Sequence, residues 1–206
     1  MARFLWKIQS SFYHLLRRNP LSAFILRREN EGIRFLLKDL KAKSVLDIGC
    51  GRGNSLDLLS NFNAFLIAVD HASGMVHKNK KSYPGINFVT ADAQFLPFRI
   101  DSFNLISCIG LFEYVKEWQV LLQEIDCLLR AGDHAIITLS PPSLLNWLRL
   151  ILGHRIFSGT EAKLSDYLSA TSLKVIQRNK TLIQLQFLLK KEEVVPADGI
   201  SPKKTR

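Results

Sequence analysis

Cysteine is scarce in this chain of 206 residues: there are three, Cys50, Cys108 and Cys127, with no C-x-x-C spacing. An odd, widely spaced set argues against a disulfide framework or a zinc site, and for a reducing compartment such as the cytoplasm. Cys127 stands among leucines and reads as core. Long apolar runs are also missing. None reaches the roughly 18–20 residues that a bilayer span needs, and the longest candidate, Leu144 to Leu152, is interrupted by Asn146 and Arg149. The first 28 residues lack a compact apolar segment followed by a small-residue cleavage site, so no secretory signal is expected. There is no internal repeat and no low-complexity block.

Acidic residues are absent from those first 28 positions, which hold six basic ones, Arg3, Lys7, Arg17, Arg18, Arg27 and Arg28. Residues 174–206 carry eight basic and three acidic residues, whereas residues 29–173 carry fourteen and fifteen. The net charge of +10 therefore belongs to the two ends, and a partner that reads charge should meet them there. Phe4, Leu5, Ile8, Phe12, Leu15 and Leu16 recur at helical spacing, which predicts an amphipathic basic helix ending near Asn19-Pro20. Such a helix either packs on the domain with its charges in water or lies on an anionic membrane surface. A mitochondrial presequence shares this composition. A second helix is expected over residues 21–40, with Phe24, Ile25, Ile33, Leu36, Leu37 and Leu40 on its buried side.

From Ser44 the pattern changes. Short apolar runs at 44–48, 65–69, 86–89, 103–109 and 134–139 alternate with helical stretches at about 54–61, 73–81 and 116–130, the last with Gly132 placed to stop it. Alternation of this kind predicts a parallel sheet with helices on both faces. The runs Leu173–Gln177 and Leu182–Leu188 are joined by only Arg178-Asn179-Lys180, too short for a crossover, so this pair should be antiparallel. The chain divides into N-terminal helices (1–40), an α/β domain (41–190) and a basic tail (191–206) of disordered character.

The most informative stretch is Val45-Leu46-Asp47-Ile48-Gly49-Cys50-Gly51-Arg52-Gly53-Asn54-Ser55. A buried strand runs into a glycine loop and then into a helix N-terminus that Asn54 or Ser55 can cap, which makes a ligand site at the carboxyl end of a strand. The dinucleotide fingerprint G-x-G-x-x-G would require glycine at position 54, which is Asn54. Asp70 closes the second strand, 21 residues after Gly49, where a carboxylate can accept hydrogen bonds from both hydroxyls of a ribose. Asp92 closes the third, in Thr90-Ala91-Asp92-Ala93-Gln94. Leu96-Pro97-Phe98, Asp101-Ser102-Phe103, Leu111-Phe112-Glu113-Tyr114-Val115 and Leu128-Leu129-Arg130-Ala131-Gly132-Asp133 follow in order.

This ordered set, over about residues 44–140, resembles the small-molecule branch (type 11-like) of class I S-adenosylmethionine (SAM)-dependent methyltransferases. The resemblance implies a doubly wound, mostly parallel, seven-stranded Rossmann-like α/β sheet, with an antiparallel last strand inserted between the fifth and sixth. It implies SAM as cofactor. Asp47, Gly49, Cys50, Gly51 and Gly53 correspond to the loop around the methionine end, and Asp70 to the ribose ligand. His71 and Met75 correspond to the adenine wall, Asp92 and the Ala93 backbone to the pair that reads the adenine edge, and Cys108 to a contact with the methionine moiety. Two departures are Gly132-Asp133 where the family commonly has Gly-Gly, and Tyr114 where it commonly has histidine.

The activity implied is methyl transfer to a small-molecule, hydrophobic or lipid-like acceptor. A general base is optional for a SAM enzyme, and none is assigned. Glu113 reads either as a helix-start carboxylate or as a group facing the substrate, Asp57 as a solvated helix residue. Nucleic acid is the rival acceptor because of the charge. Against it, strand four is followed by Ile109-Gly110-Leu111-Phe112 and not by Asn/Asp-Pro-Pro-aromatic, and there is no Pro-Cys nucleophile. A non-catalytic scaffold is a second rival, opposed by the intact acids Asp47, Asp70 and Asp92.

Overall fold

The structure, a computed structural model, describes residues 20–141, 157 and 159–193. The basic segment 1–19, most of the apolar stretch 144–157 and the tail beyond 193 lie outside the described residues. In chain order the elements are α1 (Pro20–Leu37), β1 (Ser44–Ile48), α2 (Leu56–Leu59) with a 3-10 turn (Ser60–Phe62), β2 (Phe65–Asp70), α3 (Ser73–Ser82), β3 (Asn87–Thr90), β4 (Phe103–Cys108), a second 3-10 turn (Phe112–Tyr114), α4 (Trp118–Leu128), β5 (Leu129–Leu139), α5 (Glu161–Leu168), β6 (Leu173–Lys180) and β7 (Leu185–Lys191). Among the described residues, no helix is long and apolar enough to cross a membrane.

The seven strands form one sheet in the order β3-β2-β1-β4-β5-β7-β6, with β7 antiparallel to both neighbours, as the resemblance implied. Side chains alternate across a strand, so an apolar run buried on both sides feeds two cores. Leu46, Ile48, Ile106 and Ile137 pack with Leu121, Leu122 and Ile125 of α4 and with Leu164 and Leu168 of α5. Their neighbours Val45, Leu105, Ile136 and Leu188 pack on the other face with Ile33, Leu36 and Leu37 of α1, Leu56 and Leu59 of α2, and Val76 of α3. Strand order reverses beside β1, whose partners are β2 on one side and β4 on the other. The crevice at such a switch point, outside the carboxyl ends of the strands, is where doubly wound sheets bind ligands.

Several local expectations are corrected. Helix α4 ends at Leu128, and Gly132 (φ 82°) does not stop it. The glycine lies inside β5, where the register against β4 jumps from Phe103↔Leu129 to Leu105↔His134 and the extra residues must bulge. The hairpin turn is not at 178–180. Those polar residues extend β6, whose outer edge is open to water, and the chain turns at Thr181–Gln184, where the Thr181 N–H donates to the Gln184 carbonyl over 3.0 Å. Phe24 is exposed, with the Arg27 guanidinium 5.7 Å from its ring centre, and Ile25 is half-buried. The buried position on that part of α1 belongs to Glu29. Cys127 is exposed, on the outer side of α4.

Candidate cofactor site

Strand β1 delivers Asp47 into the sheet and then turns sharply. Gly49, Gly51 and Gly53 all have positive φ (76°, 50° and 86°), a region side chains other than glycine rarely adopt. At Gly49 there is also no space: a Cβ would sit 3.0 Å from Leu111 Cδ1, so the loop after β4 closes directly on the loop after β1. The N–H groups of Gly49 and Cys50 both donate to the Val69 carbonyl (2.8 and 2.9 Å), which fixes the loop to the end of β2.

Asp70 is the hub of the arrangement. Its Oδ2 accepts from the Gly51 N–H at 2.8 Å and its Oδ1 from the Ala72 N–H at 2.8 Å. A carboxylate has about four lone-pair directions, so two hydroxyls of a ligand can still be accepted. This spare acceptor capacity fits the two hydroxyls of a ribose. Asp47 lies beneath the loop, 1% exposed, and Ser55 Oγ donates to its Oδ2 at 2.6 Å. The expected cap hydroxyl at Ser55 is thus turned down into the site and away from the helix it precedes. Burial pushes the Asp47 carboxyl up to about 6; the Ser55 hydroxyl and, more weakly, Ser107 pull it down, and the Asp70 charge adds to the rise. Ser107 is the register partner of Asp47 on β4, but its hydroxyl makes no well-directed hydrogen bond.

The remaining expected residues divide into two groups. His71 is exposed with Nδ1 3.5 Å from Asp70 Oδ1, and Met75 is half-exposed on the first turn of α3, the helix that follows β2. The loop after β3 joins them through the Ala91 N–H, 3.3 Å from the Asp70 carbonyl. There Asp92 is exposed and its Oδ1 accepts from the Gln94 N–H at 2.9 Å, while Ala93 is half-buried beside it. The two cysteines differ from this. Cys108 is fully buried in the α4-side core, and Cys50 is 4% exposed in the other. Burial, then the nearby Asp47 charge, pushes both thiols up, with Asp70 adding at Cys50. Cys108 ends β4 next to Ser107, the register partner of Asp47, and its thiol is close enough to feel the Asp47 charge.

Sequence reading missed several contributors. Asn79, on α3, donates to the Gly51 carbonyl, and one turn on the Tyr83 hydroxyl lies 3.3 Å from the Gly53 carbonyl. Asp57, expected to be merely solvated, is exposed but accepts from the Tyr83 hydroxyl at 3.0 Å. A signal was present: asparagine on the helix face shared with Val76 and Tyr83 interrupts an apolar stripe. Glu113 is buried in the 3-10 turn, before α4 begins, and its Oε2 accepts from the Ser140 hydroxyl. Its main-chain carbonyl accepts from the Phe157 N–H at 2.8 Å. It therefore ties the loop after β4 to the end of β5.

A sheet in this order, with a glycine loop after β1 and a carboxylate ending β2, defines the Rossmann-like methyltransferase fold. A family model described as "Methyltransferase domain" matches residues 46–137. The ubiquinone biosynthesis O-methyltransferase of Coxiella burnetii is 26% identical over 118 residues, 55% of this chain and 50% of that protein. A probable phthiotriol/phenolphthiotriol dimycocerosates methyltransferase of Mycobacterium ulcerans is 30% identical over 100 residues, 47% of this chain and 39% of that protein. The chain thus spans about half the length, or less, of these curated relatives. Among solved structures, the magnesium protoporphyrin IX methyltransferase of Synechocystis PCC 6803 with bound SAH superposes with a TM-score of 0.69 at 18% identity, covering 87% of this chain and 94% of that one. Residues 46–137 of this chain thus match a methyltransferase domain, and the fold around them is the Rossmann-like fold of the SAM-dependent methyltransferases.

Proposed function

We propose that this chain binds SAM in the crevice at the carboxyl ends of β1, β2 and β3 and transfers its methyl group to a small, hydrophobic or lipid-like acceptor. The observation that carries the reading is Asp70, buried at 8% and held by two backbone N–H groups with acceptor capacity left over. In this reading the loop from Gly49 to Gly53, with Asp47 beneath it, receives the methionine end, and Asp70 takes the ribose hydroxyls. His71 and Met75 flank the adenine, and Asp92 with the Ala93 backbone meets its edge. SAM supplies an electrophilic methyl on a sulfonium, so the protein's work is to place an acceptor in line with it and exclude water. The ionised Asp47 carboxylate favours a cationic ligand above it.

The acceptor class rests on two supports. The relatives named above are named for ubiquinone biosynthesis and for phthiotriol dimycocerosates. Large apolar side chains also stand exposed on the carboxyl-end loops, with Phe95 75% exposed after β3 and Tyr114 47% exposed after β4. Incubation with labelled SAM and a fractionated lysate should place label in a lipid or small-molecule fraction. Label confined to RNA or DNA would replace this acceptor class, and binding without any labelling would favour a scaffold. For the cofactor, Asp70→Ala should weaken SAM binding about tenfold or more, from loss of hydrogen bonds to a charged group. Unchanged calorimetric affinity in a folded Asp70→Ala protein would refute the assignment.

The charge asymmetry carries a second reading, that the basic residues of segment 1–19 hold the enzyme loosely on an anionic membrane surface. Full-length protein should then sediment with anionic vesicles at low salt and be released at high salt. Equal sedimentation after deletion of residues 1–20 would refute it.

A further inference from the structure

The middle of the glycine loop is gripped from two directions. The Gly51 N–H donates to Asp70 Oδ2 at 2.8 Å, and the Gly51 carbonyl accepts from Asn79 Nδ2, also at 2.8 Å. Asn79 is 2% exposed. Burying an amide on the inner face of a short helix is unfavourable unless its polar atoms are matched, and here the match is the loop carbonyl. One turn on, the Tyr83 hydroxyl lies 3.3 Å from the Gly53 carbonyl and 3.0 Å from Asp57 Oδ1. The Tyr83 ring covers Gly53 so closely that a Cβ there would lie 2.9 Å from Tyr83 Cε2. Residues four apart on a helix share a face, so one face of α3 reaches two alternate carbonyls of the loop.

We infer that Asn79, supported by Tyr83, is a positioning residue for the cofactor loop, holding it in its ligand-receiving conformation before the ligand arrives. The planar trans peptide makes this effective: with the Gly51 carbonyl turned to α3, the Arg52 N–H of the same peptide is turned the opposite way. Without Asn79, the peptide after Gly51 loses this hold on its carbonyl, while the peptide before it keeps the Asp70 contact and the bond from the Gly53 N–H to the Cys50 carbonyl (2.8 Å). A loop of positive-φ glycines has many other conformations open to it, and ligand binding must then bear the entropy of ordering it. The inference rests on the SAM reading for the identity of the ligand, while the clamp itself belongs to the ligand-free protein.

The test uses the full chain, with S-adenosylhomocysteine as the calorimetric probe and amide hydrogen exchange of the ligand-free protein as the second readout. In Asn79→Ala, exchange at residues 50–54 should rise about tenfold with β4 and β5 unchanged, and probe affinity should fall about tenfold. Tyr83→Phe keeps the ring over Gly53 and should show the same pattern at about threefold. It carries the test alone if Asn79→Ala does not fold. Exchange at 50–54 equal to wild type in the folded variants overturns the clamp. Faster loop exchange with unchanged probe affinity overturns its role in binding. A wild-type protein that does not bind the probe overturns the cofactor reading, and loop exchange then still decides the clamp.

Discussion

Two carboxylates, Asp47 and Glu29, are buried on the same side of the sheet in different settings. Glu29, 4% exposed on α1, is met by the Thr181 hydroxyl at 2.7 Å and by Gln186 Nε2 at 3.3 Å, and the same Gln186 amide donates to the Glu29 carbonyl at 2.9 Å. Burial still pushes its carboxyl up, with Thr181, the Ile183 backbone and Gln186 opposing the rise. Asp47, under the glycine loop, accepts from the Ser55 hydroxyl at 2.6 Å and is pushed up to about 6. The first site is a polar clasp holding a helix to the β6–β7 hairpin. The second is a carboxylate whose charged form burial disfavours, placed where a cationic ligand is proposed to sit. Buried groups that stabilise and buried groups held ready for a ligand are told apart by how fully their partners answer them.

The largest effect should follow from breaking the clasp. Glu29→Ala removes the buried carboxylate that accepts from Thr181 and Gln186, leaving the Gln186 amide its bond to the main-chain carbonyl of residue 29, and should lower unfolding free energy in urea by about 2–3 kcal/mol. S-adenosylhomocysteine affinity of the folded fraction should be unchanged, because the clasp lies away from the crevice. Glu29→Gln, which keeps the shape and most of the bonds, should cost far less. An equal loss in both variants would show that the charge itself, and not the network, is what holds α1.

Asp47→Asn should act in the opposite direction. Removing a carboxyl that burial holds near 6 relieves a penalty at neutral pH, so thermal unfolding should shift upward by an amount corresponding to about 1–2 kcal/mol. Probe affinity should fall in the same variant. A variant less stable than wild type would mean that Asp47 is as well matched as Glu29, and the contrast would fail.

The pH dependence should be the smallest effect. The native Asp47 pKa lies above its unfolded value, so between about pH 4 and 6 the folded state binds the extra proton. Its stabilising contribution is complete below the unfolded value and is lost as pH rises through about 6. Ligand-free unfolding monitored from pH 7.5 to 5 should show this gain in wild type and lack it in Asp47→Asn. Over the same range probe affinity should weaken a few-fold, because protonation removes the charge that favours the ligand. Parallel pH profiles in the two proteins would assign the titration to another group.

Much of the crevice could be read directly from residue order. Asp47, Asp70 and Asp92 each stand in or just after an apolar run, and strand identity depends on that local pattern. Tertiary partners decided the rest. Thr181 and Gln186 lie 152 and 157 residues from Glu29, so nothing near Glu29 announces that it replaces Phe24 on the buried side of α1. Asn79 is 28 residues from Gly51, and its polarity looked like a flaw in an apolar stripe until the loop carbonyl was seen opposite it. Gly132 has the composition of a helix stop but serves a bulge set by pairing with β4.

By itself, then, the sequence determined which segments are strands, where the glycine loop lies and which acids end the strands, because periodicity and chain order are local properties. Only the tertiary structure decided which polar groups are buried and answered, since that depends on what a distant segment places against them once the sheet has formed.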